Sequence, residues 1–289
     1  MLGRAAKRIY GLLSGRGVDP EQLYFDWCMA NARTYFGPLL GATQGQPVRH
    51  AHMRETVRCL ALDAQCPLHI LEIGSWAGGS AITFGMALRA FAPPGSSLLC
   101  VDPWVPYAFT RGNAALQRTM TDALSSGAIF RLFEHNLRAS GIEDLVMSLK
   151  AKSAEALPLL RPASFDLVFV DGDHRFDFVR MDLNLARCLV RPGGILCGDD
   201  LEKQFFEVDA GACHANRDEG FVPDPVTGSS FHPGVTLAVH EVLGRVSERD
   251  GFWAAQRNAL DSFIPFDLVS PEIPQVPGHF SRHRDYPSR

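Results

Sequence analysis

Two apolar runs in this chain each end in paired carboxylates: Phe165 to Val170 leads into Asp171-Gly-Asp-His174, and Ile195 to Cys197 leads into Gly198-Asp-Asp200. If the runs are neighbouring parallel strands, Asp171, Asp173, Asp199 and Asp200 emerge at one sheet edge. Like charges a few Å apart raise one another's pKa, so such a cluster calls for a cation or a shared proton. A divalent metal is the expected answer. All the donors singled out are oxygens, and no Cys or His ligand pair is read beside them, which favours a hard ion such as Mg2+ over zinc. A second constellation, Leu71-Glu-Ile-Gly-Ser-Trp-Ala-Gly-Gly-Ser80, lies at a strand-to-helix turn. Missing side chains there let a ligand approach the backbone and a helix N-terminus. The spacing departs from the dinucleotide fingerprint G-x-G-x-x-G, and no Tyr-x-x-x-Lys pair is present, which disfavours a nicotinamide-dependent dehydrogenase. Asp102 ends the following strand, where a carboxylate can accept from two ribose hydroxyls.

Alternating strand and helix patterns must hold these groups. Residues 69–74 read as the first strand, 80–91 as a helix and 97–102 as the second strand. Residues 113–140 are helical with a break near Gly127, and 145–149 make a third strand. Residues 165–171 form the fourth strand. An amphipathic helix over 176–190 is stopped by Pro192-Gly-Gly194, and 195–199 form the fifth strand. Residues 235–246 are a helix, while 252–257 and 263–269 form an antiparallel hairpin at the sheet edge. The fold class is α/β: a Rossmann-like doubly wound sheet, mostly parallel, with an antiparallel edge hairpin, strand order 3-2-1-4-5-7-6, and an N-terminal helical layer. Three segments follow: a helical substrate layer over 1–68, the main domain over 69–269, and a Pro-rich basic tail over 270–289. Residues 202–233 are polar, lack periodicity and leave directly from Asp200, so they read as a long lid loop. His50, His52, His214 and His232 are candidates to line a cleft, and Phe205, Phe206 and Phe221 to shield it.

At 289 residues and 46% hydrophobic content, one substantial core is expected. A net charge of -4 with both signs scattered excludes a phosphate-tracking face, so no nucleic-acid partner is expected. Seven cysteines without metal spacing read as reduced thiols of a cytoplasmic protein. No apolar run is long enough to span a membrane. The basic amphipathic start, residues 1–13, reads as a helix docked on its own domain or a sister subunit rather than as a membrane-surface anchor. The N-terminal helices are the candidate surface for a homo-oligomer.

With these motifs in view, the chain resembles class I S-adenosylmethionine-dependent methyltransferases from about residue 70 to 269. Asp171-Gly-Asp-His174, Gly198-Asp-Asp200 and His232-Pro-Gly-Val-Thr-Leu-Ala-Val-His-Glu241 resemble, more narrowly, the metal-dependent O-methyltransferases of the macrocin and aminocoumarin sugar group and cephalosporin-hydroxylase-like proteins. The resemblance implies that Glu72, Gly74, Gly78 and Ser80 surround the methionine part of S-adenosylmethionine, with Trp76 near the sulfonium and Asp171 bordering it. It places Asp102 at the ribose and Ser153 at the adenine. Asp171, Asp199 and Asp200 would hold Mg2+. Asp173 is preferred as general base, with His174 as its competitor. The implied reaction is methyl transfer to a hydroxyl of a glycan, glycosylated metabolite or phenol carrying vicinal oxygens. The alternative is a non-catalytic S-adenosylmethionine-binding accessory protein of the same fold.

Overall fold

Ile70, Leu167, Phe169, Ile195 and Cys197 are buried in one apolar cluster, and Leu71, Val168, Val170 and Leu196 in a second. Side chains of a strand alternate between faces, so these uninterrupted apolar runs are strands covered on both sides. The computed structural model describes residues 19–43, 46–107, 114–269 and 277–287. The basic start lies outside them. Strands β1 (His69–Ile73), β2 (Ser97–Asp102), β3 (Val146–Lys150), β4 (Phe165–Val170) and β5 (Val190–Gly198) pair in parallel in the order β5-β4-β1-β2-β3.

One face carries α1 (Pro20–Ala30), α2 (Val48–Ala61), α3 (Gly79–Phe91), α4 (Ala114–Ser125) and α5 (Ala128–Ser140). The other carries the single turn α6 (Ser153–Ala156), α7 (Phe176–Leu189) and a later helix over Pro233–Leu243. Among the described residues, α1 and α2 are the α-helices of the leading segment. Buried Asn136 of α5 locks that segment to the Gly-rich turn: its amide accepts from Tyr35 N and donates to Tyr35 O and Ala77 O. Residues 277–287 drape over α1, with Tyr286 edge-on to Tyr24 at 4.9 Å and Arg33 paired with Asp285.

The antiparallel edge forms in the expected order 5-7-6 when the strands of this sheet are counted along the chain, the sixth being Ser247–Arg249 and the seventh Phe252–Arg257, but these are not the two segments, 252–257 and 263–269, read as its hairpin. The inner place beside β5 belongs to Phe252–Arg257, and Phe263–Pro265 lies outside it. Phe252 to Ala255 are all buried, as an inner strand requires. Pro265 lacks a ladder donor and suits an edge. Ser247–Arg249, not read as a strand, pairs with the other half of the same outer edge.

The segment 202–233 is not an unstructured loop. It contains the short helix α8 (Ala210–Ala215) and the strand pair β6 (Val222–Pro223) and β7 (Ser230–Phe231), before α9 (Pro233–Leu243). Asp224 organises it by accepting from the backbone N–H of Asp209, Val226 and Thr227. These local side-chain-to-backbone bonds leave no hydrophobic period to read. The edge strands are β8 (Ser247–Arg249), β9 (Phe252–Arg257) and β10 (Phe263–Pro265). All seven cysteines are free thiols, and Cys28, Cys100, Cys197 and Cys213 are buried. No helix among the described residues is long and apolar enough to cross a membrane.

Candidate active site

The site sits where the sheet changes the direction of its connections, between β1 and β4. Crevices at that point receive ligands in open α/β sheets. The turn after β1 and the loop after β4 touch: Asp171 N donates to Ile73 O at 2.9 Å, and a Cβ on Gly74 would collide with the Asp171 carbonyl. Gly74 also holds φ +86°, in the left-handed region that glycine adopts without strain. Gly74→Ala should therefore cost about 2 kcal/mol or more of stability, read by urea unfolding. An unchanged midpoint would mean that the two loops are not coupled.

The turn is tied down from β2. Asp102 Oδ2 accepts from the N–H of Ser75 and of Trp76, each at 3.0 Å, and Oδ1 accepts from Trp104 N at 2.6 Å. Burial raises the Asp102 pKa, and these three N–H groups pull against it. Asp102 is thus the clamp of the turn in addition to being the acid expected at the ribose. Trp76 adopts φ +44° and donates Nε1 to Gly41 O at 3.1 Å, which aims its ring at the leading segment. Gly78 caps α3 with φ +89°, and Ser80 is buried in the first turn of that helix. Glu72 is fully buried. Its Oε2 accepts from Cys100 Sγ at 3.2 Å, Oε1 has no partner, and burial pushes its pKa up to about 7. Ser153 opens α6 beside buried Asp182, which lies beneath Gly172.

Beyond β4 and β5 the structure redistributes the expected roles. Both oxygens of Asp173 are taken by Arg175: Nε lies 2.9 and 3.1 Å away, Nη2 2.5 Å from Oδ2, and the Arg175 N–H 3.0 Å from Oδ1. His174 instead points into the cluster, with Nε2 3.1 Å from Asp200 Oδ2 and 3.6 Å from Asp171 Oδ1. Burial opposes protonation of His174, but Asp200, Asp171 and Asp199 together push its pKa up to about 10. Burial and the charges of Asp200 and Asp171 push Asp199 well up. Asp200, at φ +62°, is partly buried, yet His174, His232 and Arg49 hold it down at about 2.

An imidazole pair stands beside the carboxylates, contrary to the oxygen-only reading. One ligand atom each from His174, Asp200 and His232 lie within 4.8 Å of one another. His232 Nδ1 lies 3.1 Å from Glu202 Oε2 and 3.9 Å from Asp200 Oδ1. Arg49 of α2 also enters, with Nη1 2.8 Å from Asp199 Oδ1 and 2.6 Å from Asp200 Oδ1, and Nη2 2.7 Å from Glu202 Oε1. The contact to Asp199 is not aligned as a hydrogen bond, so that buried oxygen keeps a free lone pair. Carboxylate oxygens, two imidazoles and an unsatisfied buried oxygen fit a divalent ion.

The other histidines do not line this cleft. His50 Nδ1 contacts Thr83 Oγ1 inside the core, His52 pairs with Asp250, and His214 packs on Phe205. Phe221 does stand at the site, 5.0 Å from His232. Arg49 and Glu202 were missed. Glu202 follows Asp199-Asp200 by two residues and was readable as a third acid, whereas nothing in the local pattern of α2 marks Arg49.

Residues 71–201 match the family model described as a methyltransferase domain. Among solved structures, the O-methyltransferase NovP is 17% identical, covering 82% of this chain and 99% of its own, with a TM-score of 0.52. The O-methyltransferase TomG from Streptomyces achromogenes is 20% identical over 86% of this chain and 93% of its own, at 0.44. The calicheamicin methyltransferase CalS11 is 15% identical over 87% and 91%, at 0.47. No curated protein matches by sequence.

Proposed function

We propose that this chain, which has the class I methyltransferase fold and carries a methyltransferase domain over residues 71–201, transfers a methyl group from S-adenosylmethionine to a hydroxyl oxygen. The acceptor class is a glycan, glycosylated metabolite or phenolic small molecule with vicinal oxygens. One observation carries the reading: the glycine turn with its unpartnered, buried Glu72 oxygen directly abuts the loop that presents Asp171 and His174. A cationic co-substrate and an oxygen nucleophile are thus served from adjacent loops.

Glu72, Gly74, Gly78 and Ser80 would receive the methionine part, with Trp76 and Asp171 at its border. Asp102 and Ser153 would receive the ribose and adenine. Methyl displacement needs the oxygen in line at roughly 3 Å, so the chain's task is to position the acceptor and remove its proton. His174 fits the base role better than Asp173 once a divalent ion offsets the Asp171, Asp199 and Asp200 charge that otherwise keeps its ring protonated, because its Nε2 faces the cluster while Arg175 occupies both Asp173 oxygens. Asp171 and Asp200 orient the ring and stabilise the imidazolium that forms. A divalent ion, Mg2+ in the first instance, would be held by Asp171, Asp199 and Asp200 with the imidazoles in reach. Such an ion supplies Lewis-acid lowering of the hydroxyl pKa.

Calorimetry with S-adenosylmethionine and with NAD, on native and chelator-treated protein, tests the reading when paired with turnover. Saturable binding of S-adenosylmethionine alone, surviving metal removal, is expected, with turnover lost on chelation. NAD binding would overturn the cofactor assignment. Full-rate turnover by metal-free protein would overturn the metal role.

A further inference from the structure

Arg49 stands among the carboxylates as a cation supplied by the chain itself. Its side chain is 7% exposed and reaches from α2 across to the ends of β5 and the β8–β9 turn. Nη1 faces Asp199 and Asp200, Nη2 donates to Glu202, and Nε donates to Asp250 O at 2.7 Å. Gly251, at φ +90°, lies so close that a Cβ would meet the guanidinium, so the turn is shaped around it. The fork is planar and makes several charge-assisted bonds at once, which a flexible ammonium does not reproduce. Removing one partner from a buried set of this kind leaves uncompensated charge.

We propose that Arg49 is the resident counter-ion of the strand-end carboxylates, and that a divalent ion entering the site competes with it for Asp199 and Asp200. The proposal rests on the metal reading above and goes beyond it, because it makes metal affinity depend on a residue of the leading segment. Arg49 Nη1 lies on Oδ1 of both aspartates, the atoms a metal would also seek. It adds a positive charge within a few Å of any ion bound there, and two cations at that separation repel. Arg49 is therefore a positioning residue that keeps the carboxylates together before the metal arrives and weakens the metal's hold afterwards.

The test is Mn2+ calorimetry on the full chain, wild type against Arg49→Gln and Arg49→Lys, with thermal melts in metal-free buffer and in saturating Mn2+. Arg49→Gln should bind Mn2+ about tenfold more tightly, equivalent to about 1.4 kcal/mol. It should melt lower than wild type without metal and recover most of the difference with it. Arg49→Lys, which keeps the charge and loses the fork, should lie between. If the Gln variant does not fold, the Lys variant decides by the direction of its affinity change. Equal or weaker Mn2+ binding in the folded variants would overturn the competition, showing that Arg49 serves only to order the ligands. Absence of Mn2+ binding in every protein would also overturn it, while leaving methyl transfer, read separately from product formation, intact.

Discussion

His174→Ala is expected to lower kcat by about 10²–10⁴-fold, the usual contribution of a positioned general base, with S-adenosylmethionine affinity changed by no more than about twofold. The imidazole reaches Asp171 and Asp200 but none of the groups of the glycine turn. Loss of the ring should therefore affect proton removal and spare the cofactor. The matched control is Asp173→Asn. The sequence favoured Asp173 as base, yet Arg175 holds it from both the side chain and the backbone. Its neutralisation should cost about tenfold or less, through release of Arg175 and a looser loop. Steady-state kinetics on the two variants decide between them. A larger loss in Asp173→Asn than in His174→Ala would return the base role to the aspartate.

Glu72→Gln should flatten the pH dependence of stability. Burial moves the folded-state pKa of Glu72 from the ordinary 4.5 up to about 7. Between those values the folded chain keeps a proton that the unfolded chain has released, so this carboxyl makes stability fall as pH rises through the window. A displacement of that size corresponds to about 3 kcal/mol when complete. Urea unfolding at pH 5 and pH 8 should show the variant gaining up to about 3 kcal/mol relative to wild type over that interval. The comparison between variants isolates Glu72 from Asp182, which burial also raises, to about 6. The same substitution should weaken S-adenosylmethionine binding, since the buried oxygen without a partner would no longer be anionic. Parallel stability curves for the two proteins would show that Glu72 is already ionised and solvated.

Much of this arrangement was legible because its signals are local. From Leu167 to Val170 and from Ile195 to Cys197 the runs leading to the carboxylates are apolar at every position, as a strand covered on both faces needs. Gly74 and Gly78 mark left-handed backbone that other residues enter at a cost. The roles within the site were less legible because they depend on side-chain reach. Arg175 curls back onto Asp173 from two residues away, so the acid that looked free is held. His232 arrives from beyond the short helix and strand pair that follow Glu202, and Arg49 from a helix 151 positions before Asp200. The segments that fill the antiparallel edge were less legible for a related reason. The segments at 252–257 and 263–265 are both extended with apolar residues, and their places are set by burial of Phe252 to Ala255 against the exposure of Ile264 and Pro265.

The central claim is that the two adjoining loops bring a methyl donor to an acceptor oxygen. Incubation with isotopically labelled S-adenosylmethionine, Mg2+ or Mn2+ and a panel of catechols and vicinal-diol sugars tests it most directly, with mass spectrometry of acceptor and donor. The expected result is one labelled methyl on an acceptor oxygen for each S-adenosylhomocysteine formed, lost in His174→Ala. Saturable S-adenosylmethionine binding with no label on any acceptor and no S-adenosylhomocysteine would contradict it, and would identify the chain as a cofactor-binding protein that performs no transfer.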